Sequence, residues 1–560
     1  MLESLTRVKP KKKTKSAEKE GQSFSMLDPE NKTAMKILFL SSDTGGGHRA
    51  SCESLAKQFQ LLYPGSSYIL LDTIDGYFPM PKTYKHLSAH PTQWKLFYEV
   101  TNSRAFEMIA DANMKLMSER GTRKKLMALD PDVVVSVHPM MTNVPQLSCA
   151  KISQQTGKHI PIFTVVTDLG SGHCLWFANG MEKMFVGSDQ ICELAKKRGN
   201  VPEEKLVKIG LPIRHDFAIQ AEKLGDRISI EGKLYQETIR KSLDLPYFDR
   251  PTLLVMGGGE GIGSLSVIVD TLYMELVMNG IDAIILVVCG RNEKLKKSLD
   301  ERDWEEVLHI QSELKAVKDG KFTSMCTTPN FSPTAAACID GSMTHSLRKI
   351  LSSGSIRSSA LIGLGTGAEA EKSKSQGDLQ DDRSEGKIEE FQEVEEEAEE
   401  RISNDESSRS SESLMGNDPL GDVAVIGLGF VNNISEYMVA ADILVTKAGP
   451  GTISEAASVS LPVLLTSFLP GQEEGNVDYV LKNDFGTYVS DSDPSGIAEV
   501  AVTWLRNEDK YQVLSRNAKA KGAPNAARDI AEAIGESTLR WKEINEENGK
   551  VSISDISNKD

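Results

Sequence analysis

Residues 35–55, MKILFLSSDTGGGHRASCESL, read as a short apolar strand, a glycine-rich loop and the opening of a helix. The helix continues with small or apolar residues at Ala50, Leu55, Ala56, Phe59 and Leu62, the spacing of one buried face. Gly46 and Gly47 let a ligand approach the backbone closely, and the helix start offers unbonded N–H groups with a partial positive charge. His48 falls in the first turn, which makes it a candidate general base in a phosphate-binding cleft. The same loop satisfies a relaxed dinucleotide fingerprint through Gly45, Gly47 and Ala50, with Asp72 as the ribose acid. That fingerprint implies a nucleotide-type α/β domain and leaves the reaction open.

Outward from this unit, strand-like runs at 36–42, 68–72, 133–139, 162–168, 183–188 and 207–212 alternate with helical patterns. A charged segment follows. A second alternating block then runs through 252–263, 283–292, 423–430, 442–456 and 461–467. β-Branched runs that end in Ser, Asp, His or Gly and are separated by helices indicate parallel, doubly wound sheets. The expected fold is α/β, two Rossmann-like domains facing a cleft. The expected divisions are a disordered basic tail (1–33), a first domain (34–225), a linker (226–250), a second domain (251–535) and a C-terminal tail (536–560). Within the second domain, periodicity disappears over 314–422, where Ser, Gly and acids dominate, so a disordered acidic insertion is expected there.

The chain has 560 residues and a formal charge of −16, which argues against general nucleic-acid binding. No apolar run approaches the roughly 18–20 residues of a spanning helix. The seven cysteines are scattered without a C-x-x-C pair, as expected of reduced thiols. The N-terminus has neither the apolar core of a signal peptide nor the acid-poor composition of a transit peptide.

The second block holds the densest chemistry. In TKAGPGTISEA (446–456), a strand ends in a Gly-Pro-Gly turn that opens a helix. Gly449, Gly451 and the Thr452 hydroxyl face a phosphate there, and Glu455, one turn in, suits the diol of a sugar. PGQEEGN (470–476) places Gln472, Glu473 and Asn476 at the next strand's end, with an amide and a carboxylate to read hydroxyls. Gly258 and Gly259 leave space for a phosphate or sugar, and Phe430 with Val431 would seat a flat base. In the first block, Asp168 is a candidate to orient His48 or to bind an acceptor hydroxyl, while His138 before Pro139 reads as a structural strand-end residue. Tyr77, Phe78, Pro81, Lys82, Tyr84 and Trp94 belong to an aromatic, lysine-bearing stretch that suits a membrane–water interface. Asp491 and Asp493 match a D-x-D pair, yet Pro494 makes a helix cap the simpler reading, so no metal is expected.

In order along the chain, SSDTGGGHRAS, SVHPMMTNVP, TVVTDL, GLPIR, MGGGEGIG, VVCGRN, GFV, TKAGPGTISEA and GQEEGNVDYV resemble the motifs of the monogalactosyldiacylglycerol synthases, family 28 glycosyltransferases of GT-B fold. The resemblance spans about Met35 to Ala533 apart from the insertion. It implies inverting transfer of galactose from UDP-galactose to diacylglycerol, with His48 as base and without cofactor or metal. It also implies a first domain that takes the acceptor and docks on the membrane, and a second that binds the UDP-sugar. Glu455 would then bind the ribose, and Gln472 and Glu473 the galactose. A plastid-envelope address, peripheral and aided by anionic lipid, rests on the resemblance. The chain departs from the pattern in its long insertion, in its N-terminus and at Cys174, where a proline is usual. A diacylglycerol glucosyltransferase using UDP-glucose, a nicotinamide oxidoreductase and an inactive membrane adaptor remain alternatives at this stage. The oxidoreductase leaves GPGTISEA and GQEEGN without a role, and the adaptor has no need of His48, Glu455, Gln472 and Glu473 together.

Overall fold

The strand KILFL, β1 (Lys36–Leu40), places its side chains alternately on two faces, and both faces are buried. Ile37 and Phe39 join one apolar cluster with Leu55 and Phe59, whereas Leu38 and Leu40 join another with Leu126, Cys149 and Ile152. In this computed structural model, which describes residues 24–25, 27–28, 30–42, 46–73, 87, 90–257, 265–309 and 420–557, β1 is central to a parallel sheet. The sheet adds β2 (Ser67–Leu71), β3 (Val133–Ser136), β4 (Ile162–Val165), β5 (Met184–Val186) and β6 (Leu206–Lys208) in the order β2-β1-β3-β4-β5-β6. Its helices are α1 (Gly46–Leu62), α2 (Pro91–Thr101), α3 (Arg104–Leu129), α4 (Asn143–Thr156) and α5 (Asp189–Gly199).

Helices α6 (His215–Leu224) and α7 (Ile230–Ser242) lead to a second parallel sheet. Its strands are β7 (Thr252–Met256), β8 (Ala283–Val288), β9 (Val423–Leu428), β10 (Ile443–Lys447), β11 (Val463–Ser467) and β12 (Gly486–Tyr488), ordered β12-β11-β10-β7-β8-β9. Around it lie α8 (Leu265–Met278), α9 (Glu293–Asp300), α10 (Ile434–Ala440), α11 (Pro450–Ser458), α12 (Glu474–Lys482), α13 (Pro494–Arg506) and α14 (Glu508–Lys521). The molecule is thus α/β, with two Rossmann-like halves in one compact unit. Strand order reverses beside β1 in the first sheet and between β7 and β10 in the second, the places where open α/β sheets bind ligands.

The structure differs from the expected divisions in two places. The charged segment after residue 225 is more than a connection. Arg227 is 1% exposed and donates to the carbonyls of Met438, Val439, Ala441 and Val459, capping the ends of α10 and α11. The last helix, α15 (Ala526–Ser557), leaves the second half altogether. Its Ile530, Ala531 and Ile534 complete the apolar cluster under β1, and Tyr63 Oη donates to the Glu532 carbonyl at 3.2 Å. Residues 526–535, placed by sequence with the second domain, therefore pack on the first sheet. The expected tail (1–33) and insertion (314–422) fall, but for their edges, outside the described residues.

Candidate active site

His48 stands in the first turn of α1, which opens at Gly46. Its Nδ1 lies 3.0 Å from Thr167 Oγ1, and its ring meets that of His138 edge-on at 4.9 Å. Burial lowers the His48 pKa to about 4, against a smaller opposing effect of a hydrogen bond with the Val137 backbone. Burial likewise holds His173 near about 4, aided by Arg198, and His138 well below the ordinary range, aided by His48 and His173. All three rings are therefore neutral at neutral pH.

Asp168 does not touch His48. Its Oδ2 accepts from Trp176 Nε1 at 2.8 Å, and the indole lies 6.1 Å from the His48 ring. Burial raises the Asp168 pKa to about 7, the Trp176 hydrogen bond opposes this, and the negative Glu473 adds to it. Thr167, one residue earlier, holds the position that sequence offered to Asp168.

Glu473 belongs to the other half of the molecule. The loop after β4 and the first turn of α12 meet so closely that a Cβ on Gly170 would lie 1.6 Å from the Gly475 carbonyl oxygen. Asn476, fully buried, stitches this crossing: Oδ1 accepts from the Leu169 and Gly170 N–H groups at 3.2 Å each, and Nδ2 donates to the Ala448 carbonyl at 3.1 Å. Ser171 Oγ donates to the Gln472 carbonyl beside it. Asn476, expected at the donor, is thus committed to joining the two halves.

Both cleft carboxylates are paired with cations. Glu473 accepts from Lys447 Nζ at 2.7 Å and from the Leu469 N–H at 2.9 Å. Glu455 accepts two parallel hydrogen bonds from Arg214, Nε and Nη2 each at 2.7 Å. Burial opposes the charge on Arg214, but Glu455 outweighs it and holds the guanidinium above its usual range. Lys447 Nζ also borders the Gly-Pro-Gly turn, 4.0 Å from where a Cβ on Gly449 would stand, with Thr452 Oγ1 at 3.8 Å. Gly47 and Gly451 look onto open space. Among the described residues no cluster of three or more His, Cys, Asp or Glu is arranged to hold a metal ion.

The chain matches two family models, Monogalactosyldiacylglycerol (MGDG) synthase over residues 48–213 and Glycosyltransferase family 28 C-terminal domain over residues 368–534. These matches make the chain similar to the monogalactosyldiacylglycerol synthases among the glycosyltransferases. Among its relatives, "Monogalactosyldiacylglycerol synthase, chloroplastic" of Spinacia oleracea is 26% identical over 524 residues, 91% of this chain and 73% of that protein. "Monogalactosyldiacylglycerol synthase 1, chloroplastic" of Arabidopsis thaliana is 25% identical over 516 residues, 90% of this chain and 70% of that one. Among solved structures, MurG of Acinetobacter baumannii is similar at a TM-score of 0.45 and 11% identity, covering 90% of this chain and 99% of that one, too distant to bear on function.

The other residues singled out in the sequence divide as follows. Phe430 is 67% exposed at the end of β9, with Arg291 Cζ 6.0 Å from its ring centre, whereas Val431 packs inward on the second core. Gly46 opens α1. Gly258, Gly259, Tyr77, Phe78, Pro81, Lys82 and Tyr84 lie outside the described residues. Trp94, expected at a membrane surface, is 5% exposed and packs against Phe97 and Tyr98. Helical spacing turns it inward, while Leu96 and Val100 face out. At Cys174, where the family pattern has proline, the backbone N–H donates to Asn102 Oδ1 at 2.8 Å, a bond that proline cannot make. Asp72, the alternative ribose acid, accepts from Ser42 Oγ at 2.7 Å. Sequence reasoning assigned no part to Thr167, Arg214 or Lys447. The last ends a strand before a glycine turn, the one local signal among the three.

Proposed function

We propose that this chain transfers galactose from UDP-galactose to the free hydroxyl of diacylglycerol, with inversion at the anomeric carbon. Similarity to the monogalactosyldiacylglycerol synthase family supports the substrates, since its relatives are named for that product. A neutral, half-buried histidine at the first switch point, with a cation-bordered glycine turn at the second, is the observation that carries the chemistry.

In this reading the acceptor oxygen attacks C1 of galactose as the C1–O bond to the diphosphate breaks. His48 takes the hydroxyl proton, and Thr167 at Nδ1 fixes the ring. The electron pair leaves with UDP, whose β-phosphate gains charge. Lys447 and the N–H groups of the Gly449–Thr452 turn stabilise that charge, an electrostatic role that needs no metal. Glu455 receives the ribose hydroxyls, Gln472 and Glu473 the galactose, and Phe430 the uracil. Gly46 and Gly47 leave room for the diphosphate. The plastid names of the relatives support a peripheral place on a plastid envelope, and no described helix is long and apolar enough to cross a membrane.

The deciding experiment supplies UDP-galactose and UDP-glucose separately to diacylglycerol-containing vesicles. Galactolipid from UDP-galactose alone is the expected result. Product from UDP-glucose moves the assignment to a glucosyltransferase, and no product with either refutes the lipid acceptor.

A further inference from the structure

Strand β10 ends in Lys447, and the turn that follows opens α11. Lys447 Nζ lies 2.7 Å from Glu473 Oε1 on one side and 4.0 Å from where a Cβ on Gly449 would stand on the other. The two members of this ion pair are held very differently. Glu473 is 7% exposed, its N–H donates to the Leu469 carbonyl at 2.8 Å, and its Oε2 accepts from the Leu469 N–H at 2.9 Å. The carboxylate therefore keeps its place without the lysine. The Lys447 side chain is 40% exposed, and Glu473 is its one bonded partner among the described residues. Asn476 Nδ2, donating to the Ala448 carbonyl at 3.1 Å, ties the chain just after Glu473 to the residue just after Lys447. A fixed acid and a movable cation thus stand at a fixed spacing beside the turn.

We propose that this ion pair couples the two ends of the donor, so that galactose on Glu473 strengthens the hold of Lys447 on the diphosphate and UDP alone is held weakly. The proposal rests on the donor site described above and adds to it a discrimination between substrate and by-product. A carboxylate only accepts hydrogen bonds, whereas an ammonium carries three donors on a flexible stem. Galactose hydroxyls that donate to Glu473 draw on the same negative charge that attracts Lys447, and the ammonium is released toward the phosphates. A rotation about the last bonds of the stem suffices, because Nζ already borders the turn. Once galactose has left with the acceptor, Glu473 pulls again on Lys447, and its own charge opposes the diphosphate. The reach of that charge is visible at Asp168, in the other half of the molecule, where it adds to the raised pKa. By linkage the effect is reciprocal, and UDP must strengthen galactose binding by the same factor. The site then keeps the whole donor and lets go of spent UDP, a step that limits turnover in many enzymes.

The test is calorimetry on the full chain with UDP and with UDP-galactose, each in the absence of acceptor. The parent should bind UDP-galactose about tenfold more tightly than UDP. Glu473→Gln keeps an oxygen for the Leu469 N–H, so its melting temperature should match the parent. It should bind UDP about tenfold more tightly than the parent does and lose the preference for UDP-galactose. Lys447→Met should weaken UDP binding, and Glu473→Gln added to it should restore little, since the gain passes through the lysine. A second readout needs no substitution: saturating free galactose should raise the parent's affinity for UDP severalfold. A Glu473→Gln variant that binds UDP no better than the parent overturns the proposal. So does a gain of full size in the double variant, which assigns it to plain repulsion between Glu473 and the diphosphate, or UDP binding that galactose leaves unchanged. Binding is read without turnover, so a chain that shows the coupling yet makes no galactolipid fails the functional reading alone. One that makes galactolipid without the coupling fails this proposal alone.

Discussion

At His48 burial converts an imidazole that would ordinarily titrate near pH 6.5 into one that stays neutral until about pH 4, ready to accept a proton. kcat/KM reports the groups of the free enzyme, so its acid limb should fall near about pH 4–5. A limb near pH 6.5 would remove His48 from the base position. His48→Gln should lower kcat by roughly a thousandfold and leave UDP affinity, read by calorimetry, nearly intact. Asp168 titrates the opposite way, with its pKa raised from 3.8 to about 7. Folding favours its protonated form, so the stability it contributes is complete below its unfolded pKa and is lost as pH rises through about 7. Above that point a second negative charge faces Glu473 and an incoming diphosphate, and kcat/KM should decline. Asp168→Asn should flatten both the alkaline limb and the loss of melting temperature between about pH 4 and pH 7. A variant with both slopes unchanged would clear Asp168 of any part in them. His48, Glu455 and Glu473 were legible because each follows a glycine turn that ends a strand. Thr167, Arg214 and Lys447 were not. Their roles come from partners 119, 241 and 26 residues away, which no local pattern records.

Among the elements, eleven of the strands follow from alternating β-branched runs, and β12 does not. It is an edge strand, Gly486–Tyr488, that opens on glycine and holds a single β-branched residue, Thr487, so it carries no apolar run to read. The inward turn of Trp94 and the outward apolar face of α3 escaped for a different reason: both depend on which side of a helix meets the sheet, and that is a tertiary fact. The loops before and after the cleft are tied by the Gly170–Gly475 crossing and the three hydrogen bonds of Asn476. A methyl group on Gly475 would lie 2.3 Å from the Gly170 carbonyl carbon, so the two halves must separate to admit it. Gly475→Ala should cost about 1–3 kcal/mol in denaturant unfolding and lower kcat/KM at least tenfold, because His48 and Glu473 then no longer face each other across one site. Unaltered kinetics in that variant would show that the crossing is not what aligns the halves.

For the molecule as a whole, the last helix decides which half the chain's end stabilises. Ile534 is fully buried in the cluster that holds Phe39, Phe59 and Phe163, and Gly535 lets α15 approach until a Cβ would lie 2.3 Å from the Tyr63 ring. Ile534→Asp should cost several kcal/mol, on the order of 3–5, in thermal unfolding, and should expose the first sheet rather than the second. Proteolysis should then cut first among residues before 225, and cleavage confined to the second half would contradict this placement. The returning helix also governs the order in which a nascent chain can mature. The first sheet leaves the ribosome hundreds of residues before Ile530, Ala531 and Ile534 exist to close its underside. The second half has every strand of its own sheet by Tyr488 and can fold while synthesis continues. The half made first is therefore finished last, and an interrupted translation product carries an open apolar floor beneath its GGGH loop, a mark by which chaperones and proteases can tell it from the completed enzyme.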